Sequence, residues 1–359
     1  MGPTPPLVLE RCTSTATSAT GRFRVGRRAT TVHFDGVAPD PRSLPDAFLA
    51  IARVMGMETD QRIVCLPRPS RRFRERVDVL QRVHLSLFPQ HHEAPILSWP
   101  RPDRPPLPAP DGRRTAAFFS GGVDSFALLA EHEEEIDDLL FVRGFDVPVR
   151  EHARNEEVLR TVRAAAEAVG KPLIIVDTDL RDFSDPVADW TWFVYGGLIA
   201  TSLLLECTHR TVLCAASVAD HHLPEEAVRL RGTPFGNTRT EMRIEGRTAT
   251  RVEKVAAVAA SGLARDTLRV CWQNVPGTVN CGTCQKCVRT HAALVASGGA
   301  GTIATFPDEL ALDALAAHPA VTRSDRAYLG EIRDAADARG EADLVAALDR
   351  ALEVGAPAP

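Results

Sequence analysis

Lysine is almost missing from this chain of 359 residues: it stands at Lys171, Lys254 and Lys286, and arginine fills every other basic position apart from histidine. That bias reads as an effect of coding composition rather than selection for phosphate-binding forks. With a net charge of −5 it argues against a protein that coats nucleic acid. Residues 1–115 are locally basic, with 18 Arg against 11 Asp and Glu, but a solvated surface explains such a stretch. Long apolar runs are missing too. The longest, Phe193 to Leu205, is interrupted by Gly196, Gly197, Thr201 and Ser202 and is too short to cross a bilayer. Met1 to Glu10 has no basic stretch leading into an apolar one, so the expected location is cytoplasmic, away from membranes. In that reducing compartment the eight cysteines serve as metal ligands or core residues rather than disulfides. No internal repeat is present. The apolar content of 44% and charged content of 25% are those of an ordinary globular protein, whose length allows two domains or one with an extension.

Between Ala94 and Arg114 seven prolines forbid a regular helix or an inner strand and favour a stiff extended linker, 94–114. Upstream, GRFRVGRRATTVHFDGV alternates around a Gly-Arg-Arg turn and predicts a hairpin, while Leu44 to Met57 and Phe73 to Phe88 have helical spacing. Residues 1–93 therefore read as a small α+β domain. Beyond the linker the pattern becomes strand, helix, strand, helix. Strands are predicted at Thr115–Phe119, Leu139–Phe145, Leu173–Asp177 and Thr211–Ala216, and helices at Ser125–Glu133, Glu151–Val169 and Trp192–Glu206. Such alternation implies a doubly wound α/β fold, with a parallel sheet and ligands bound beyond the carboxyl ends of its strands. This domain spans 115–295, and 296–359 reads as a helical tail without candidate chemistry.

At the end of the first of these strands stand Ser120, Gly121, Gly122, Val123, Asp124 and Ser125, followed at once by the apolar helix FALLA. Glycines let the backbone approach a ligand, and the helix N-terminus offers unpaired N–H groups and a positive dipole end to an anion. Ser120 and Ser125 add hydroxyl donors. Asp124 would repel a phosphate directly, so it either holds a bridging Mg²⁺ or caps the helix. The loop lacks the lysine of a P-loop NTPase and the spacing of a dinucleotide-binding GxGxxG, and an ordinary Gly-Gly turn is the bland alternative.

Cys271, Cys281, Cys284 and Cys287 follow a C-x9-C-x2-C-x2-C spacing. Four thiolates suit tetrahedral Zn²⁺ with no ligand position left for catalysis, and an iron–sulfur cluster is the competing occupant. Gly282, Thr283, Gln285 and Lys286 suggest that the cluster lies in a tight exposed loop.

The stretch AFFSGGVDSFALL resembles the pyrophosphate loop of the N-type (PP-loop) ATP pyrophosphatases, and a four-cysteine set C-terminal to it is most similar to the 7-cyano-7-deazaguanine synthase branch. The resemblance covers residues 115–295. It implies ATP, Mg²⁺ and Zn²⁺ as cofactors, adenylation of a substrate carboxylate with release of pyrophosphate, and attack by ammonia or another amine. It also implies that the loop holds the departing pyrophosphate.

Other residues are read around these two motifs. Thr250 to Lys254 opens a helix and resembles the family's threonine, basic residue and acid; Arg251 either reaches the ATP phosphates, with Lys254 one turn behind, or belongs to a solvated, capped helix. Gly144, Phe145 and Asp146 end the second strand of the alternating series, where nucleotide-binding backbone is expected. Ser217 and Asp220 follow the strand TVLCAA and are candidate substrate contacts, whereas the adjacent His221 and His222 read as ordinary loop histidines. The extension 1–93 supplies either a second substrate's site or a protein interface, a homodimer among the latter. Two rival readings stand beside the ligase: sulfur transfer through a persulfide on Cys207 or Cys214, and a non-catalytic zinc-stabilised module that binds a nucleotide or nucleic acid.

Overall fold

In a computed structural model, which describes residues 4–108, 111–273 and 275–354, a mixed eleven-stranded sheet runs through the whole molecule. The N-terminal part comprises β1 (Leu7–Ser14), β2 (Ser18–Val25), β3 (Arg28–Asp35), α1 (Leu44–Glu58), β4 (Ile63–Cys65), α2 (Arg71–Leu87) and β5 (Ile96–Ser98). It is followed by β6 (Arg114–Phe118), α3 (Val123–Glu131), β7 (Asp138–Arg143), α4 (His152–Ala168), β8 (Leu173–Thr178), α5 (Leu180–Ser184), α6 (Trp190–Leu204) and β9 (His209–Ala215). Then come α7 (Glu225–Arg231), β10 (Phe235–Gly236), β11 (Glu241–Glu245), α8 (Arg251–Ser261), α9 (Gln285–Ala296), α10 (Leu312–Ala316), α11 (Arg323–Ala338) and α12 (Ala342–Val354).

The sheet order is β10-β11-β9-β6-β7-β8-β3-β2-β1-β4-β5, and β11, β9, β6, β7 and β8 are mutually parallel. After β6 the chain moves outward through β7 to β8, then returns to the other side of β6 at β9. The order therefore reverses between β6 and β9, which opens a crevice at the carboxyl ends of those two strands. Helices cover both faces, as a parallel sheet requires. One core unites Phe48 and Ile51 of α1 with Phe193 and Leu203 of α6; the other gathers Phe126 of α3, Val162 of α4, Val255 of α8, Val288 of α9, Ile332 of α11 and Leu348 of α12.

The boundary expected at 94–114 is crossed by both sheet and core. The predicted hairpin is β2–β3, and β3 pairs antiparallel with β8 through Phe34 opposite Thr178 and Asp35 opposite Asp177. The N-terminal part thus extends the sheet sideways. Within the described part of the proline-rich segment the chain forms β5, the last strand in the order, where one side needs no backbone donors, and a single parallel bridge from Arg101 to Ser70. Several arginines of the basic stretch are neutralised locally: Arg22 and Arg24 pair with Glu10, Arg53 and Arg74 with Asp78, and Arg104 with Asp40 and Glu206. Among the described residues no helix is long and apolar enough to cross a membrane.

Candidate active site

The loop after β6 lies at the β6/β9 switch point. Gly121 has φ +74°, the left-handed conformation that a side chain disfavours, and its carbonyl accepts the Arg269 N–H at 2.8 Å. Gly122 is the N-cap of α3 and makes no side-chain cap, which leaves the first-turn N–H groups of α3 without a side-chain acceptor at that position. Ser125 is buried, and its hydroxyl donates to the Gly122 carbonyl at 2.9 Å, so it fastens the loop from within. Ser120, Gly122, Val123 and Asp124 line a cleft of about 380 Å³.

Asp124 does not cap its helix. One carboxylate oxygen accepts from the Arg251 guanidinium at 3.1 Å, and the other lies 3.5 Å from Lys254 Nζ without a hydrogen bond. Both cations come from α8, whose start is fixed by a capping box between Thr250 and Glu253; the helix is capped and its basic residues still turn inward. Burial works against the Arg251 charge, yet Asp124 and Tyr328 outweigh it and hold the guanidinium above its usual pKa. Burial lowers the Lys254 pKa although Asp124 opposes the change.

Five cations, Arg181, Arg251, Arg269, Lys286 and Arg289, line this cleft against two carboxylates, Asp124 and Asp146. Arg289 is pushed below its usual pKa by burial and by the neighbouring Arg251. Arg251 and Arg289 each place a guanidinium 4.6 Å from the ring centre of Tyr328, a residue of α11 whose hydroxyl donates to the Ser217 carbonyl at 2.9 Å. Asp124 Oδ1, Arg251 Nε and Arg289 Nε are buried polar atoms without hydrogen-bond partners, and all three belong to residues of the cleft wall.

A smaller apolar recess of about 200 Å³ adjoins the cleft and shares Ser120, Asp124, Asp146 and Trp190 with it. Phe118, Phe141, Val142, Phe145, Val194 and Leu198 line it. Phe145 packs edge-on to Trp190 at 5.1 Å. Gly144 lies behind this wall with φ +107°, where an added Cβ would lie 2.0 Å from the Thr178 carbonyl oxygen, so its role is to let β7 turn against β8. Asp146 lines both cavities and pairs with Arg269 at 3.4 Å.

The four cysteines converge as their spacing predicts, with all Sγ atoms within 4.8 Å of one another, a set able to hold a metal ion. Residues 275–278, Thr283 and Lys286 around them are exposed as expected, but the thiols are not: Cys271, Cys284 and Cys287 have almost no accessible surface, because α9 begins at Gln285 and carries Cys287 into the core. Backbone and hydroxyl donors reach Cys281 Sγ from Cys284 N at 3.3 Å and Thr283 Oγ1 at 3.7 Å, the polar shell a metal-bound thiolate needs. Hydrogen bonding from Cys287 holds the Cys284 thiol down to about 4, against the effect of burial. Asn280, also buried, accepts from the backbone of Val270 at 2.8 Å and Cys271 at 3.2 Å. The cluster thereby secures the segment that brings Arg269 and Trp272 to the cleft, and Cys271 itself lines it.

Not every expected residue reaches the cleft. Ser217 contributes its backbone carbonyl, which also accepts from Arg251 at 3.3 Å, and its side chain is exposed. Asp220 is drawn away by ion pairs with Arg231 at 3.0 Å and Arg247 at 3.6 Å, and neither residue lines the cavity. Cys214 is buried and its thiol is pushed up to about 12 by burial, and burial, with Asp40 and Glu206, also raises the Cys207 thiol. Neither environment favours the thiolate that sulfur transfer needs. Arg269, Arg289, Trp272 and Tyr328 escaped the sequence reading; the proximity of the first three to the cysteine spacing was the available signal, and Tyr328 had none. In comparisons with known proteins, no family model, no curated protein and no solved structure matches the chain.

Proposed function

We propose that the protein is an ATP-dependent ligase of the PP-loop pyrophosphatase type, which adenylates a substrate carboxylate and joins it to ammonia or another amine. The observation that carries this reading is the pairing of two cavities at the β6/β9 switch point. The apolar recess suits the base of a nucleotide, and the adjoining cleft presents five cations and a glycine-loop helix N-terminus to its phosphates. The unpartnered atoms on Asp124, Arg251 and Arg289 are acceptors and donors that a bound triphosphate with its metal would satisfy.

In this mechanism the carboxylate oxygen attacks the α-phosphorus, the bond to the bridging oxygen of the β-phosphate breaks, and pyrophosphate leaves. The amine then attacks the acyl carbon, releasing AMP and a proton. Arg251, Arg289 and the α3 N–H groups neutralise charge growing on pyrophosphate, and the fixed cleft orients the reactants. Asp124, with a lone pair free on Oδ1, is the residue to hold Mg²⁺, which when bound would supply further charge neutralisation. Cys271, Cys281, Cys284 and Cys287 fit Zn²⁺ as a structural ion that fixes one wall of the cleft. A cytoplasmic enzyme acting on small molecules is the setting this chemistry suits.

The test is release of AMP and pyrophosphate from Mg-ATP across a panel of carboxylates, 7-carboxy-7-deazaguanine included, with ammonia present. Formation of AMP that depends on one acid is the expected result. Silence across the panel, together with nucleic-acid binding that weakens steeply with salt, would replace the ligase by a binding module.

A further inference from the structure

On the far side of Arg251 from the phosphate loop, the tight turn Asp220–His222 after β9 meets α11. The sequence treats His221 and His222 as ordinary, because neighbouring side chains on a regular element diverge. In this turn they do not: the two rings lie 4.0 Å apart between centres, tilted by 46°. His222 Nε2 lies 2.7 Å and His221 Nε2 4.0 Å from the same carboxylate oxygen of Glu331. One donor atom from each of the three residues lies within 4.8 Å of the others.

Glu331 makes the arrangement informative. Its side chain is only 9% exposed, yet among the described residues its ion-pair partners are these two histidines and no arginine or lysine. Its other oxygen accepts the backbone N–H of Arg251 at 2.6 Å. A nearly buried carboxylate that no arginine or lysine faces is costly, and a cation held beside it would offset that cost. Asp220, the remaining acid of the turn, is neutralised by Arg231 and Arg247 and takes no part.

We propose that His221, His222 and Glu331 form a second metal site, distinct from the four-cysteine cluster, for a borderline divalent cation such as Zn²⁺. Two imidazole nitrogens and one carboxylate oxygen favour Zn²⁺, Co²⁺ or Ni²⁺ over Mg²⁺ or Ca²⁺, and three protein ligands leave a position for solvent. His221 is 55% exposed, which gives the ion access to the site. Glu331 would bridge the cation and the first backbone N–H of α8. The site would therefore clamp α11, which carries Tyr328, to the helix that carries Arg251.

The experiment uses the full chain, stripped of metal in reducing buffer, reloaded with Co²⁺ or Zn²⁺ and analysed for metal per chain after gel filtration. The wild type is expected to hold one equivalent more than the variant carrying both His221→Ala and His222→Ala. The thiolate-to-cobalt absorption from the cysteine set should be unchanged between the two. The single substitution His221→Ala, on an exposed side chain that the fold does not need, should weaken the additional equivalent at least about 10-fold. Equal stoichiometry in wild type and double variant, or an unchanged affinity in His221→Ala, would overturn the site.

Discussion

Replacing Asp124 with Asn removes one negative charge from between two buried cations. The side chains of Arg251 and Lys254 are 7% and 4% exposed and lie 3.1 and 3.5 Å from the Asp124 carboxylate. Breaking a buried pair by removing one partner costs about 3–5 kcal/mol. Asp124 is itself 28% exposed, so water screens part of the loss and the lower end, about 3 kcal/mol, is expected. With an unfolding entropy of about 2.1 cal/mol/K per residue over 359 residues, this corresponds to a fall in Tm of about 4 °C. The variant should remain folded but release no pyrophosphate from Mg-ATP. Its two unpaired cations should also make it respond more strongly than wild type to inorganic tripolyphosphate without divalent metal, read as a larger rise in Tm by differential scanning fluorimetry. An unchanged Tm with an equal polyphosphate response would show that this carboxylate does not balance Arg251 and Lys254, and retained pyrophosphate release would remove its role at the metal.

Tyr328→Leu deletes the ring that faces both Arg251 and Arg289 along with the hydroxyl bound to Ser217; polyphosphate affinity measured by calorimetry should fall about 10-fold, given about 0.5–2 kcal/mol per cation–π contact, and an unchanged affinity would detach α11 from the site. Asp46, a buried residue in the first turn of α1 that accepts from Ser70, is raised by burial from 3.8 to about 6. The folded state then binds the extra proton between those values, so this group's contribution to stability is complete below about pH 4 and is lost as pH rises through about 6, amounting to about 3 kcal/mol. Urea titrations across that window should show a steeper slope in wild type than in Asp46→Asn, where Glu58, also raised by burial, still contributes. Gly144→Ala sets a Cβ 2.0 Å from the Thr178 carbonyl oxygen at φ +107° and should cost at least about 3 kcal/mol, seen as a lowered urea midpoint; wild-type stability would mean that β7 and β8 can separate freely there.

Local pattern made much of this fold legible. The alternation of apolar strands and amphipathic helices from Thr115 to Ala216 corresponds to β6 through β9 with shifts of a residue or two at the ends, since periodicities of 2 and 3.6 are properties of neighbouring residues. The hairpin around Gly26 was visible for the same reason. What the pattern concealed was partnership. Residues 1–93 read as a separate unit because a strand's sequence records which face it buries and not which edge it joins, so the pairing of β3 with β8 left no trace. The helical tail looked free of chemistry because Tyr328 and Glu331 acquire their roles only when α11 packs beside α8.

The candidate site divides along the same line. Sequence alone made the glycine loop and its helix legible, because a glycine turn followed at once by an apolar run is a pattern of neighbouring residues, and it marked the four-thiolate set, in which two short spacings keep Cys281, Cys284 and Cys287 close while the fold brings in Cys271. Only the tertiary structure decided that these motifs share one cleft and that Asp124 is held by α8. It likewise turned Asp220 away to Arg231 and Arg247, and aligned two unremarked histidines on Glu331. Two of those outcomes depend on contacts between residues more than a hundred positions apart, Asp124 with Arg251 and His222 with Glu331, and the energies of all of them are set by burial and charge that exist only once the sheet and its helices have assembled.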